Sequence, residues 1–327
     1  MISTEQKQVS IIIPTFKRPE GLTQTLNSIR LQTQDLAAVE ILVVNNSMES
    51  AAEVEAICDH FLQEKLPVRL FHQPLVGSSQ ARNMGIEQAA GKWLCFIDDD
   101  EELVSNYLKD LFEAIATADE NCIFGGPYIP VYDAEKPRWL KEDYFAISYG
   151  ETPRDLLKNE FLPGGNLILS KRMLEKIGGY STYFGHVSKK SGYGEDTELV
   201  MRAVKVGGIQ KYLPSMAIKH HIPANRLSLK WMKHQKKLSA ITKARLYTMY
   251  NLQTGKRISK VRLLVGFWLE AFSSLGKLFV LGLNEPFRDK QALPYRENYW
   301  IEKVSPVYVR YRINCELASI VLHTKIF

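Results

Sequence analysis

Three consecutive carboxylates, Asp98-Asp99-Asp100, follow the apolar run Trp93–Ile97, and Glu101-Glu102 stand directly behind them. Adjacent carboxylates repel one another, so the cluster is costly unless a cation or a bound ligand offsets it. Hard oxygen donors at the end of a buried strand suit Mg2+ or Mn2+ holding a diphosphate. The competing reading is an acidic first turn of the next helix, which its dipole would favour. Arg82 is a second candidate. It lies near the start of a helical segment, where guanidinium and helix dipole both attract phosphate; otherwise it is a surface charge. A third is the stretch Phe161–Leu169, FLPGGNLIL. Gly164-Gly165 there permits close backbone approach, as a cleft wall needs, or it marks a turn into a strand.

These residues need a scaffold, and the first hundred positions provide one by alternation. Val9–Ile13 and Val39–Val44 are continuous apolar runs, as expected of strands buried on both faces. Val68–Phe71 and Trp93–Ile97 read as two further strands. Between them, Leu22, Leu26 and Ile29, then Val54, Ile57 and Phe61, keep helical spacing, and Ser78–Ala90 reads as a helix ended by Gly91. Alternating strands and helices imply a parallel sheet with right-handed crossovers, whose ligands bind at the carboxyl ends of the strands. Asn106–Thr117 predicts another helix, and Glu198–Val206 a short one stopped by Gly207-Gly208. Residues 125–165 are rich in Gly, Pro and aromatic residues, which predicts long loops around a cleft. After Pro223 the periodicity reads helical to about residue 283, with Gly255 as a break.

The ordered set VSIIIPTFKRP (9–19), VVNNS (43–47), GSSQARNMG (77–85) and WLCFIDDD (93–100) resembles the inverting family 2 glycosyltransferases. The resemblance covers about residues 9–226. It implies a GT-A fold: an α/β, Rossmann-like, mostly parallel sheet flanked by helices. It also implies transfer of a sugar from a nucleotide-sugar donor, UDP-linked, to a hydroxyl acceptor that is a glycan or a lipid-linked intermediate. By this resemblance Pro14, Thr15, Phe16, Arg18, Asn45, Asn46, Arg82, Asp98 and Asp99 contact the nucleotide, and Asp98 and Asp100 form the DxD pair that holds Mn2+ or Mg2+. The family often has Asp where Asn45 and Asn46 stand, to accept the uracil N3–H. Asn can accept and donate, so guanine and thymine nucleotides are less firmly excluded, and either Asn could simply shape the turn. GYGEDTEL (192–199) resembles the family's Glu-Asp motif. A single displacement needs one carboxylate to take the acceptor proton, which implies Asp196 as the base, with Glu195 and the Gly164-Gly165 pair on the acceptor side. The alternative is that Glu195, Asp196 and Glu198 cap a helix. AIKHHIPANR (217–226) resembles the family's third metal ligand, with His220 matching better than His221; Arg226 either faces the diphosphate or is an exposed charge.

The remaining composition concerns partners and place. Residues 219–327 carry 20 Lys/Arg against 6 Asp/Glu, a net of +14, while residues 1–218 carry 22 against 30, a net of −8. The resemblance, which reaches to about residue 226, implies a catalytic domain over 1–226, with a nucleotide-sugar half to about 125 and an acceptor half from 126; a basic, mostly helical appendage is expected over 227–327. Basic residues ahead of the apolar stretch 261–284 suit peripheral contact with an anionic membrane; solvated helix faces or a subunit contact are the alternatives. That stretch is interrupted by Arg262, Glu270 and Lys277, short of the roughly 18 unbroken residues of a spanning helix. The aromatics show no stacking pattern for nucleic acid. Met1–Gln8 lacks an apolar signal core, and Cys58, Cys95, Cys122 and Cys315 form no C-x-x-C pair. The expectation is a cytoplasmic protein with reduced thiols, peripheral on the inner membrane face. Rival readings are a nucleotidyltransferase of similar sheet architecture and a catalytically inactive nucleotide-sugar-binding module; an aspartyl phosphatase would want its DxD near the first strand.

Overall fold

The computed structural model describes residues 7–137, 140, 144–157, 160–184, 186–187, 190–191 and 194–228, with scattered helical positions between 230 and 272. Nearly all of the expected basic helical tail and the residues from 273 onward, Cys315 among them, lie outside the described residues.

The chain runs β1 (Val9–Thr15), α1 (Pro19–Arg30), β2 (Val39–Asn45), α2 (Ala51–Gln63), β3 (Val68–His72), α3 (Ser78–Gln88), β4 (Trp93–Phe96) and β5 (Glu101–Leu103). It continues through α4 (Tyr107–Ala116), β6 (Cys122–Gly125), β7 (Tyr128–Tyr132), β8 (Arg154–Asp155), β9 (Leu167–Ser170) and α5 (Lys171–Ile177). Then come the short β10 (His186–Val187) and β11 (Lys190–Ser191), α6 (Glu195–Lys205), β12 (Ile209–Tyr212) and β13 (Ile218–Ile222). The main sheet has the order β3-β2-β1-β4-β9-β6-β12-β8. The predicted parallel arrangement holds from β3 to β4, with Val9 paired to both Val39 and Trp93. It breaks at β9, which runs antiparallel between β4 and β6. That strand enters from the loop carrying Gly164-Gly165 rather than from a helix, so no crossover dictates its direction. A smaller sheet, β5-β13-β7, sets the chain just after the acidic cluster beside the histidine-bearing strand.

Strand alternation divides the core. Ile11 and Ile13 join Leu22, Leu26, Val54, Phe61, Leu108 and Leu111, so α1, α2 and α4 cover one face. Ile12, Leu42, Leu94 and Phe96 join Met173, Leu174, Leu199 and Val200, so α5 and α6 cover the other. There α3 lies so close to β1 that a Cβ on Gly85 would sit 2.4 Å from Ile12 Cγ2. Helix α6 begins at Glu195, three residues before the periodicity suggested, because the acidic residues Glu195, Asp196 and Glu198 suit its first turn. Cys58, Cys95 and Cys122 are buried free thiols, as expected of them.

The chain divides into two compact units. The first comprises Met1–Val131, Phe145–Ser191 and Glu195–Ile222, and holds every residue of the site described below. The second comprises Tyr132–Tyr144, Gly192–Gly194 and Pro223–Phe327. In it a 3-10 turn spans Ala224–Arg226, and the Arg226 guanidinium lies 5.9 Å from the Trp231 ring centroid. Among the described residues no helix is long and apolar enough to cross a membrane.

Candidate active site

The three aspartates after β4 point in three directions. Asp98 meets Arg82 of α3, with Nη2 to Oδ1 at 2.6 Å. Asp99 turns inward to the end of β1. Its Oδ2 accepts from Thr15 Oγ1 at 2.9 Å and the Phe16 N–H at 3.2 Å, and its Oδ1 lies 3.1 Å from Arg18 Nη1. Asp100 lies 2.7 Å from the same Arg18 nitrogen. Burial pushes the Asp99 carboxyl up to about 6, against the pull of Arg18 and the Thr15 hydroxyl, while Asp100 and Asp98 add to the rise. The fold gathers Thr15, Phe16 and Arg18 around Asp99 and Asp100, and sets Arg82 against Asp98.

Carboxylate oxygens of Asp98, Asp100 and Glu101 all lie within 4.8 Å of one another, a donor set that fits a hard divalent cation. Glu101 is the least available of the three. Its oxygens accept from the Asp98 N–H at 2.8 Å and from the Tyr128 hydroxyl. Burial holds its carboxyl well above the ordinary carboxylate range, with Asp98 and Asp100 reinforcing the effect. The adjacent β13 then sends its two imidazoles to opposite sides. His220 pairs in register with Glu101 and brings Nε2 to 4.0 Å from Asp100 Oδ2, whereas His221 Nε2 lies 2.6 Å from Glu102 Oε1. The His221 N–H also donates to the Asp100 carbonyl at 3.0 Å.

At the first turn of α6, Glu195 is buried and its Oε1 accepts from Ser78 Oγ at 2.8 Å and Arg82 Nη1 at 3.3 Å. Asp196 beside it has a buried Oδ1 without a hydrogen-bond partner among the described residues. Burial raises its carboxyl to about 7; Arg82 opposes this, and Glu195 and Asp98 add to it. The two glycines explain how carboxylates crowd here. A Cβ on Gly164 would sit 2.1 Å from Asp196 Oδ2, and one on Gly165 would sit 2.3 Å from Glu101 Oε1 and 2.5 Å from Tyr128 Oη.

Asn45 and Asn46 lie at the end of β2, and main-chain partners occupy both. Asn45 closes its own turn, donating to the Ser47 carbonyl at 2.9 Å and accepting from the Ser47 N–H at 3.0 Å. Asn46 donates to the carbonyls of Gln73 and Leu75 at 2.7 and 2.8 Å and accepts from the Gly77 N–H at 2.6 Å. It therefore knots the loop that leads into α3. Pro14 is half-buried, opposite Val44 in the sheet register, and Phe16 is exposed at the sheet's edge of the site.

The family model described as "Glycosyl transferase family 2" matches residues 10–178, from β1 through α5. The chain belongs to glycosyl transferase family 2. The succinoglycan biosynthesis protein ExoM of Rhizobium meliloti is 28% identical to it over 255 residues, 74% of this chain and 76% of ExoM. The glucosyl-dolichyl phosphate glucuronosyltransferase of Haloferax volcanii is 22% identical over 234 residues, 69% of this chain and 72% of that one. The crystal structure of GalNAc-T7 with UDP, GalNAc and Mn2+ superposes with a TM-score of 0.53 at 15% identity, covering 74% of this chain and 51% of that chain. S. aureus TarS superposes with a TM-score of 0.52 at 16% identity, covering 96% and 54%. The chain spans about half the length of each of these two structures, and at such identities the likeness concerns the GT-A fold alone.

Several residues of this family 2 site carried no legible signal. Tyr128 donates a hydrogen bond from its hydroxyl to Glu101, accepts from the Gly165 N–H at 2.8 Å, and meets the His220 ring edge-on at 5.2 Å. Asn166, fully buried, accepts from Tyr107 Oη at 2.7 Å and donates to the Met216 carbonyl at 2.7 Å. Both sit far along the chain from the acidic run, and no spacing rule links them to it. Glu101 was visible only as one more acid in that run.

Proposed function

We propose that this family 2 glycosyltransferase moves a sugar from a UDP-linked donor to a hydroxyl of a glycan or lipid-linked acceptor, with inversion at the anomeric carbon. One constellation carries the reading: an acidic cluster at the end of β4, and Asp196 at the start of α6 with a buried Oδ1 that has no partner among the described residues, both in the field of Arg82. In this reading Asp98, Asp100 and His220 hold Mn2+ or Mg2+, and Glu101 with Tyr128 supports them from beneath. The cation neutralises charge on the departing diphosphate when bound. Thr15, the Phe16 backbone and Arg18 position the nucleotide side through Asp99. Asn45 and Asn46 shape the base pocket through the turns they close. Asp196 takes the proton of the acceptor hydroxyl as that oxygen attacks, and Glu195 fixes the helix that carries it. Gly164 and Gly165 form the wall past which the acceptor approaches.

The acceptor class is supported by the names of the relatives, which concern succinoglycan and dolichyl phosphate. Residues 1–226 form the catalytic domain in this proposal, and 227–327 a basic appendage that meets an anionic membrane face. The reading is tested by incubating the full chain with a panel of nucleotide sugars, with Mn2+ or with chelator, and following nucleotide release and product configuration by NMR. Cation-dependent release of UDP and an inverted product are expected. A retained configuration overturns the single displacement, and unchanged turnover in chelator overturns the cation's role.

A further inference from the structure

Arg82 is a buried cation inside the acidic cluster, with 4% of its surface exposed. The sequence suggested a guanidinium facing phosphate. The fold gives both of its terminal nitrogens to carboxylates instead: Nη2 lies 2.6 Å from Asp98 Oδ1, and Nη1 lies 3.3 Å from Glu195 Oε1. The fork is held from several sides. Ser78 Oγ donates to the same Glu195 oxygen. The guanidinium lies 5.3 Å from the centroid of the Tyr180 ring. Asn83, the next residue on α3, grips the Tyr180 backbone in both directions, accepting its N–H at 2.7 Å and donating to its carbonyl at 2.8 Å. A phosphate that reached Arg82 would have to displace one of two charged partners.

We propose that Arg82 is the internal counter-ion of the acidic cluster and a positioning residue, tying the cation-side carboxylate Asp98 to Glu195 at the start of the helix that carries Asp196. This rests on the reading of Asp98 and Asp100 as the cation site. A divalent cation and Arg82 compete for the negative charge of the Asp98 carboxylate. Cation binding loosens that arm of the fork and leaves Arg82 to Glu195, one residue from Asp196. Filling the donor side is thereby felt at the base.

The test is Mn2+ alone, titrated into the full chain and followed by the EPR signal of the free ion, in the wild type, Arg82→Gln, Arg82→Lys and Asp100→Ala. Loss of a positive charge this close to Asp98 should tighten Mn2+ binding about tenfold or more in Arg82→Gln. Arg82→Lys keeps the charge and returns the affinity towards that of the wild type. It cannot fork to both carboxylates, so it lowers kcat with the donor KM unchanged. Unchanged Mn2+ affinity in Arg82→Gln together with weaker UDP binding is the behaviour of a phosphate contact and overturns the proposal. So does an Arg82→Lys defect confined to donor KM. If Arg82→Gln does not fold, Glu195→Gln reads the same linkage: the fork then clings to Asp98 with less opposition and Mn2+ binds more weakly, and an unchanged affinity refutes it. Mn2+ binding lost in Asp100→Ala but unaltered in Arg82→Gln sinks the Arg82 proposal by itself. Mn2+ binding that survives Asp100→Ala sinks the cation-site reading and the proposal with it.

Discussion

A base must be ionised to take a proton, and the surroundings of Asp196 oppose ionisation. Burial raises its carboxyl to about 7, and Glu195 and Asp98 push the same way against Arg82. In its proposed role this is useful, because a base is most effective near the working pH. The sign follows directly: kcat should fall as pH drops through about 7, where the carboxylate takes up its proton. Asp196→Asn removes the base while keeping size and shape, so turnover should drop roughly a hundredfold or more with donor binding retained. A rate profile that is flat from pH 5.5 to 8, or an unimpaired Asp196→Asn, removes Asp196 from that role.

Among the elements, α3 does the most joining. Its polar residues reach Glu195 through Ser78, the carbonyls of Ser181 and Phe184 through Ser79, Asp98 through Arg82, and Tyr180 through Asn83. The loop entering α3 depends on Asn46, whose amide donates to two carbonyls. Asn46→Asp would set a carboxylate against those carbonyls and should cost about 1–3 kcal/mol of stability, read from denaturant unfolding. A variant as stable as the parent would show that the loop is held otherwise. The turn before β9 makes a different demand. Gly164→Ala places a methyl where Asp196 Oδ2 now lies. The side chain must move, so kcat should fall while the donor KM stays near its original value. A change in donor KM alone would mean that Gly164 faces the nucleotide.

At the scale of the whole molecule, the acidic site is a liability that a bound cation would relieve. Asp99 and Asp196 are raised to about 6 and about 7 from ordinary aspartate values. Between those ordinary values and the raised ones the folded chain binds more protons than the unfolded one. Their contribution to stability therefore falls as pH rises through that window. Mn2+ should raise Tm more at pH 8 than at pH 5.5, measured by calorimetry on the full chain. An equal increment at both values would mean that the cation binds away from these carboxylates. The net +14 over residues 219–327 makes its own prediction. The full chain should float with vesicles containing anionic lipid at low salt and be released at high salt. Indifference to anionic vesicles at low salt assigns the tail a structural role.

Alternation of apolar runs with helical spacing was enough to predict β1 through β4 and the helices between them, because a parallel strand buried on both faces must be continuously apolar. It also placed the acidic cluster, since a strand's carboxyl end is where such a sheet exposes its ligands. Local pattern offered a strand after Gly164-Gly165 but not its antiparallel course, since no crossover helix dictates its direction. Nor could it assign partners. Asp99 looked like its neighbours, yet it alone turns inward to Thr15, because only the folded sheet brings residue 15 to residue 99. Glu101 meets Tyr128, Gly165 meets Glu101, and Arg82 meets Glu195 across 113 positions of sequence. Those contacts arise from long-range packing that no spacing rule encodes. The sequence by itself determined the family and the types of residue at the site; the tertiary structure decided the partners of each one.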